Sequence, residues 1–369
     1  MSTKKAKAQL IESAEEFEAL YGIRLIAKER EKLRETKALL KQSERLNSEL
    51  SATVSIYEKL SVSNLAPIRY KSKRKPKSKP QMIYTVALSD WHMTETVLPE
   101  EMLFDPSTGV PVNVMNPEIG LERAHRFFQL VVSSYKEQSA SHDIKTLILW
   151  IGGDLIVNDS MHGLDSARST GMSPLEEIEY CYGVLRDGIK YIRDNIDVEC
   201  ILIPTSFGNH GRTTDRPMFT SASRYSYEQH MYRMLSSALG DEDGIQFDVS
   251  DSIMKICEVD GFRLLTTHGD GTSGLRFHGG VGGLSVPYRK ALARWNANAS
   301  SGGGIHAAVV GHFHQATYVA GVPFGFVNGS LVGPSAYSLR MAHERPQQVS
   351  WLTCMETYDV ARILPLWLD

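Results

Sequence analysis

From residue 82 onward the chain alternates short apolar runs with longer stretches in which apolar positions recur every three or four residues. The runs are MIYTVALS, TLILWIGG, VECILIPTSFG, FRLLTTH and AAVVGH. Each is short and rich in β-branched residues, which predicts buried strands. Between the first three lie LERAHRFFQLVVSSYKEQ and PLEEIEYCYGVLRDGIKYIRDN, both with helical spacing. Strands alternating with helices imply parallel strands in a sheet covered by helices. No internal repeat of fixed period interrupts the pattern.

The first sixty residues read differently. Residues 4–60 contain no proline, one glycine (Gly22) and many Lys, Glu, Leu, Ala and Arg residues, a composition that favours helix. Leu10, Ala14, Phe17 and Tyr21 share one face before Gly22. After it, Leu39, Leu46, Leu50, Tyr57 and Leu60 form a seam that Ser43 and Thr53 interrupt. Such a seam serves a coiled coil, and hence a homo-oligomer, or equally an amphipathic helix packed on its own catalytic domain. KSKRKPKSKP, residues 71–80, then sets six basic residues among two prolines and two serines with nothing apolar to bury. That stretch predicts an extended tether whose charge can also contact phosphate backbones. The expected organisation is an N-terminal helical segment over 1–62, a basic linker over 63–81 and a catalytic domain over 82–369.

Composition narrows the class. At 369 residues, 42% hydrophobic and 22% charged, the chain has the balance of a globular protein with one main core and an appendage. The net charge of −3 averages over local stretches that matter more for binding. Cys181, Cys200, Cys257 and Cys354 lie far apart, so neither a disulfide framework nor a cysteine zinc site is expected. The N-terminus has no signal-peptide core, and no run of eighteen apolar residues occurs. The expectation is a soluble, cytoplasmic chain with no membrane partner.

Candidate chemistry sits where the apolar runs end. Asp90 and His92 follow the first as D-W-H, Asp154 the second as G-G-D, and Asn209 and His210 the third as G-N-H. His268 follows the fourth as T-H-G-D, and His312 and His314 the fifth as G-H-F-H. In open α/β sheets, sites form in the crevice beyond the carboxyl ends of the strands, where separate segments converge. Residues two apart on an extended segment point the same way, so Asp90 and His92 are expected to reach one ion together. Carboxylate, imidazole and amide oxygen ligands suit Mn²⁺, Fe or Zn²⁺ better than Ca²⁺. With an Asp able to bridge, two ions about 3.5 to 4 Å apart can clamp a phosphoryl group.

In this order the motifs resemble the calcineurin-like metallophosphoesterases, whose pattern is D-x-H, G-D, G-N-H, H and G-x-H. The resemblance spans roughly residues 82–332 and includes some similarity to the DNA-repair nuclease branch. It implies an α/β fold, a β-sandwich flanked by helices, with the N-terminal helical segment as an extension. It also implies two divalent ions, Mn²⁺ first with Fe and Zn²⁺ as alternatives. Asp90, His92 and His314 would hold one, Asn209, His268 and His312 the other, with Asp154 bridging. A hydroxide activated by both ions would attack phosphorus, and His210 would serve as general acid. Two positions depart from the family pattern. Gly211 stands where an acidic residue often follows G-N-H, and Val157 where an Asp often steadies the catalytic histidine, which leaves His210 without that partner. Arg212 is a candidate phosphate clamp or a surface ion pair. His125, His142, His162, His230, His278, His306 and His343 carry no assigned role.

Three stretches interrupt the alternation beside ligand-bearing loops and are expected to shape a substrate cleft: residues 93–117, 158–172 and 271–298. Toward the end of the third, Arg289, Lys290 and Arg294 flank Trp295, a basic and aromatic surface of the kind that binds single-stranded nucleic acid, or an ordinary amphipathic helix. With the basic linker, this favours a phosphodiesterase acting on nucleic acid. A phosphomonoesterase of nucleotides or phosphoproteins is the alternative, and a noncatalytic scaffold docking partners through its N-terminal helices is a reading of another class.

Overall fold

The computed structural model describes residues 37, 40, 41, 69–70, 79–158, 172–218, 220–240, 242, 244–270, 290–297, 304–321, 323–335 and 345–369. The chain divides into two compact units, Met1–Asn64 and Leu65–Asp369. In the first, Lys37, Leu40 and Lys41 are helical; the seam residues Leu39, Leu46, Leu50, Tyr57 and Leu60 lie outside the described residues. So do the linker cations from Lys71 to Lys77, and most of the second and third cleft stretches.

Two six-stranded sheets build the larger unit. One runs β12 (Val360–Trp367), β11 (Gln347–Cys354), β2 (Gln81–Leu88), β3 (Asp143–Ile151), β4 (Cys200–Pro204), β5 (Ile245–Asp248). The other runs β1 (Arg69–Tyr70), β6 (Lys255–Val259), β7 (Phe262–Thr267), β8 (Ala307–Val310), β10 (Phe324–Val327), β9 (Thr317–Val319). The five predicted runs are β2, β3, β4, β7 and β8. β2 to β5 pair in parallel, as do β7, β8 and β10. Arg69 and Tyr70, within the stretch read as linker, pair with Glu258 and Val259.

Period-two alternation explains the layers. Along β2, Ile83 and Ala87 enter a core between the sheets with Ile148, Trp150, Leu264 and Val309. Met82, Tyr84, Val86 and Leu88 face the other way, into the core under the helices. Across the sandwich, Trp351 stacks on Phe326 with ring centroids 4.2 Å apart. Both are fully buried, which is worth about 1.5 to 3 kcal/mol per side chain.

The two predicted helices are α1 (Pro117–Ser139) and α2 (Pro174–Asn195). Asn116 caps α1 by accepting the Ile119 N–H at 2.8 Å, and Ser173 with Glu176 forms a capping box on α2. A third helix, α3 (Tyr227–Leu239), was not anticipated. On the outer face of the second sheet, Leu265, Ala308 and Val310 are covered by Ala291 and Leu292 of the helical residues 290–297. Among the described residues no helix is long and apolar enough to cross a membrane.

Candidate metal centre

Each motif occupies the loop beyond the carboxyl end of its strand, and the loops are bonded to one another. The Asp90 N–H donates to the Gly153 carbonyl at 2.9 Å and the His92 N–H to that of Asp154 at 3.0 Å. From the second sheet, His268 Nδ1 donates to the Gly152 carbonyl at 2.7 Å, and the His312 N–H donates to Asp90 Oδ1 at 2.8 Å. Strand ends of both sheets therefore meet in one place.

Three groups of side chains there are close enough to hold a metal ion: Asp90, His92 and His314; His92, Asp154 and His210; Asp154, His268 and His312. Asn209 joins the last group, its Oδ1 lying 3.2 Å from His268 Nε2. All seven residues expected as ligands converge, with Asp154 shared between groups. Close approach needs glycine: a Cβ on Gly208 would run into the backbone nitrogen and carboxylate of Asp154.

One expectation needs correcting. Asp90 and His92 do not reach the same group by strand alternation, because both have left-handed backbone, at φ 56° and 37°. Asp154, His312 and His314 share it, at 52°, 68° and 54°. Non-glycine residues held there cost about 1 to 3 kcal/mol each and cluster at functional sites. The turn beyond the strand, and not the pleat, aims these side chains.

The donor set fits divalent ions of the borderline class. With Nδ1 bonded to a carbonyl, His268 presents Nε2, which lies 3.0 Å from Asp154 Oδ2; fixing one ring nitrogen so that the other can ligate is the usual arrangement of a metal-binding imidazole. His92 Nε2 faces His314 Nε2 at 3.2 Å, and His314 Nε2 lies 3.3 Å from Asp90 Oδ1. His92 Nδ1 is buried with no hydrogen-bond partner.

Electrostatics follow from that crowding. Burial would raise the Asp154 carboxyl, but His268, His210 and His92 outweigh it and hold it well below the usual carboxylate range. Burial would lower His268, yet Asp154 holds its proton well above the ordinary imidazole value. His314 is raised in the same way, burial being outweighed by its bond to Asp90. Burial and the neighbouring His210 and His314 push His92 well below it.

His210 has a partner other than the one sequence reasoning looked for: its Nδ1 donates to the backbone carbonyl of Val157 at 2.8 Å. Arg212 is bonded to the backbone of its own loop. Its Nη1 donates to the Asn209 carbonyl at 2.8 Å and its Nε to that of Thr214 at 3.2 Å, so it braces the loop that carries His210.

Two carboxylates escaped sequence reasoning. Glu177 of α2 accepts the Thr94 hydroxyl at 2.6 Å and the Asn158 N–H at 2.9 Å. Glu228 of α3 accepts the N–H groups of Leu155 and Gly208. Burial, then the charge of Asp154, pushes Glu228 up to about 7. Each sits on the buried stripe of an amphipathic helix, Glu177 with Cys181 and Leu185, Glu228 with Tyr232 and Leu235. A carboxylate in such a stripe was the available signal.

No protein-family model and no curated protein sequence matches the chain. Among solved structures it is similar to a single mutant of Vps29 from Entamoeba histolytica, at 10% identity over 76% of this chain and 97% of that one, with a TM-score of 0.30. It is similar to a protein of Streptococcus pneumoniae described as a predicted phosphoesterase, at 9% identity over 77% and 97%, with a TM-score of 0.29. The sulfate thiohydrolase SoxB of Thermus thermophilus is similar at 11% identity over 79% of this chain and 57% of that one, with a TM-score of 0.33. Two stacked six-stranded sheets, with five motif loops gathered at their strand ends, agree with the α/β sandwich that the motifs' resemblance to the calcineurin-like metallophosphoesterases implies.

Proposed function

We propose that the chain is a metal-dependent phosphoesterase whose substrate is a phosphodiester of nucleic acid. The observation that carries the reading is Asp154, shared between two groups of candidate ligands, with the His210 N–H on its Oδ1 at 2.8 Å. In this reading Asp90, His92 and His314 would hold one divalent ion and Asn209, His268 and His312 a second, with Asp154 available to both. Mn²⁺ is the first choice and Fe or Zn²⁺ the alternatives, since the set mixes imidazole with carboxylate and amide oxygen. Bound ions of this kind polarise a phosphoryl oxygen and acidify a water.

The chain's own groups do the rest. His210, with Nδ1 committed to the Val157 carbonyl, exchanges its proton at Nε2 and delivers it to the leaving oxygen. Arg212 holds two loop carbonyls through Nη1 and Nε and keeps donors at Nη2 for a substrate phosphate. Lys290 and Arg294 are exposed beside the half-buried Trp295, a combination suited to the backbone and bases of a polynucleotide.

The test is an assay with Mn²⁺, Fe²⁺ and Zn²⁺ on bis-p-nitrophenyl phosphate, p-nitrophenyl phosphate, DNA and RNA. Cleavage of the diester and of a polynucleotide is expected. Turnover of monoesters alone would make the chain a phosphomonoesterase. Full metal occupancy with no turnover of any substrate would make it a scaffold.

A further inference from the structure

The carboxylate of Glu228 ties two ligand-bearing loops together. Glu228 is fully buried near the start of α3. Its Oε1 accepts the N–H of Leu155 at 2.6 Å, and its Oε2 accepts the N–H of Gly208 at 2.7 Å. Leu155 directly follows Asp154, and Gly208 directly precedes Asn209. The same helix start is pinned to the second loop, where the Tyr227 N–H donates to the Gly211 carbonyl at 2.7 Å.

Gly211 makes the room. A Cβ there would come within 2.7 Å of Glu228 Cγ, 2.8 Å of Oε2 and 2.9 Å of Cδ, so the carboxylate fills the volume a side chain at 211 would take. One side chain thus holds the backbone beside Asp154 and beside Asn209 at once.

We propose that Glu228 is a positioning residue that sets the separation of Asp154 from Asn209 and thereby the metal affinity of the site, with Gly211 leaving the space that admits it. The proposal rests on Asp154 and Asn209 being ligands, as in the function proposed above. A purely structural carboxylate would stabilise the core without governing affinity, and a second carboxylate reaching in from position 211 would not restore binding.

The experiment measures Mn²⁺ binding to the full chain by titration calorimetry, with melting temperature read alongside. The variants are Glu228→Ala, Glu228→Gln, Gly211→Glu and the double variant Glu228→Ala with Gly211→Glu. Glu228→Gln keeps the volume but turns an NH₂ toward one of the two N–H groups, and it serves should Glu228→Ala not fold. Glu228→Ala and Glu228→Gln are expected to bind Mn²⁺ about 10- to 100-fold more weakly, the scale for groups that orient ligands. Gly211→Glu alone is also expected to weaken binding, because two carboxylates cannot share the volume. Placed in the Glu228→Ala chain, the same substitution should recover roughly tenfold, a reversal of sign that marks direct coupling. A Glu228→Gln chain that binds as tightly as the unchanged one, or a double variant no tighter than Glu228→Ala, overturns the proposal. An unchanged chain that binds no divalent ion overturns the metal reading itself, a result told apart by needing no variant.

Discussion

His210 donates from Nδ1 to the backbone carbonyl of Val157, 2.8 Å away. A carbonyl fixes the tautomer and the ring orientation as a carboxylate would, but it brings no negative charge to stabilise an imidazolium. The ring also meets that of His92 edge-on, with centroids 4.5 Å apart. His210 is thereby held at the candidate centre.

His210→Ala should accordingly retain both metal ions and lose about 10² to 10⁴ in kcat. The loss should be largest for substrates with poor leaving groups, which need the proton most. Metal analysis and a leaving-group series check this together. A variant that loses an ion would show His210 to be a ligand instead.

How much of this was legible in the sequence depended on what each residue reports. Asp154 and His268 announced themselves because each ends a β-branched run, and such runs are periodic and long enough to read. β12 did not, because VARILPLW exposes most of its positions and carries Pro365, tolerated since that strand lies at the sheet edge. Glu228 was invisible for another reason. Its role comes from backbone groups at Leu155 and Gly208, and no local pattern around residue 228 names them. The left-handed backbone of Asp90 and His92 was likewise hidden, being imposed by contacts with Gly153 and Asp154 from the next loop.

Asp154→Asn isolates the carboxylate shared between two candidate ligand groups. The change keeps the shape of the side chain but removes the charge that faces His268 at 3.0 Å. Activity should fall by roughly 10³ or more, corresponding to several kcal/mol of lost charge stabilisation. The strand beneath is untouched, so the far-ultraviolet circular dichroism should not change. Near-normal turnover at full Mn²⁺ occupancy would contradict the assignment.

Metal uptake should be coupled to proton release. Without metal, His268 keeps its proton well above its ordinary value of 6.5, the effect of burial being outweighed by Asp154. The stability this contributes to the metal-free fold is fully present below 6.5 and is lost as pH rises through the raised value. A ligating imidazole must be neutral, so a metal competes with that proton. Mn²⁺ affinity should therefore rise between about pH 6 and about pH 8, and calorimetry in buffers of different ionisation enthalpy should show proton release. A flat affinity over that range would count against His268 as a ligand.

Thiol chemistry gives an independent check on the core. Burial pushes Cys257 up to about 12 and Cys200 up to about 11, and raises Cys181 well above its ordinary value. All three remain thiols at neutral pH, and thiolate is the reactive form. Cys354 is the partly exposed one. Iodoacetamide should label Cys354 alone in the native chain and all four cysteines after denaturation. Fast labelling of Cys257 in the native state would mean that the inter-sheet core opens readily.

The last prediction concerns the basic stretch, whose six cations are not equivalent. Lys79 Nζ donates to the carbonyls of Ser139 at 3.0 Å and Ala140 at 2.7 Å, the end of α1. A cation there interacts with the helix dipole and unpaired carbonyls, worth about 0.3 to 1 kcal/mol. It is therefore not free to hold a phosphate. If the proposed substrate is a polynucleotide, Lys71, Lys73, Arg74, Lys75 and Lys77 should carry the electrostatic attraction, and replacing these five with serine should weaken nucleic-acid binding. Every phosphate that the variant no longer neutralises should flatten the dependence of log affinity on log salt by about 0.7 for single strands and about 0.9 for duplex. Turnover of a small diester should be unchanged, because the metal loops are untouched. Lys79→Ser should do the opposite, lowering the melting temperature slightly while leaving the salt slope alone. Fluorescence anisotropy across a salt series reads both. An unchanged slope after the fivefold replacement would assign the stretch to tethering alone and remove one of the two supports for a nucleic-acid substrate, leaving Lys290, Arg294 and Trp295 to carry it.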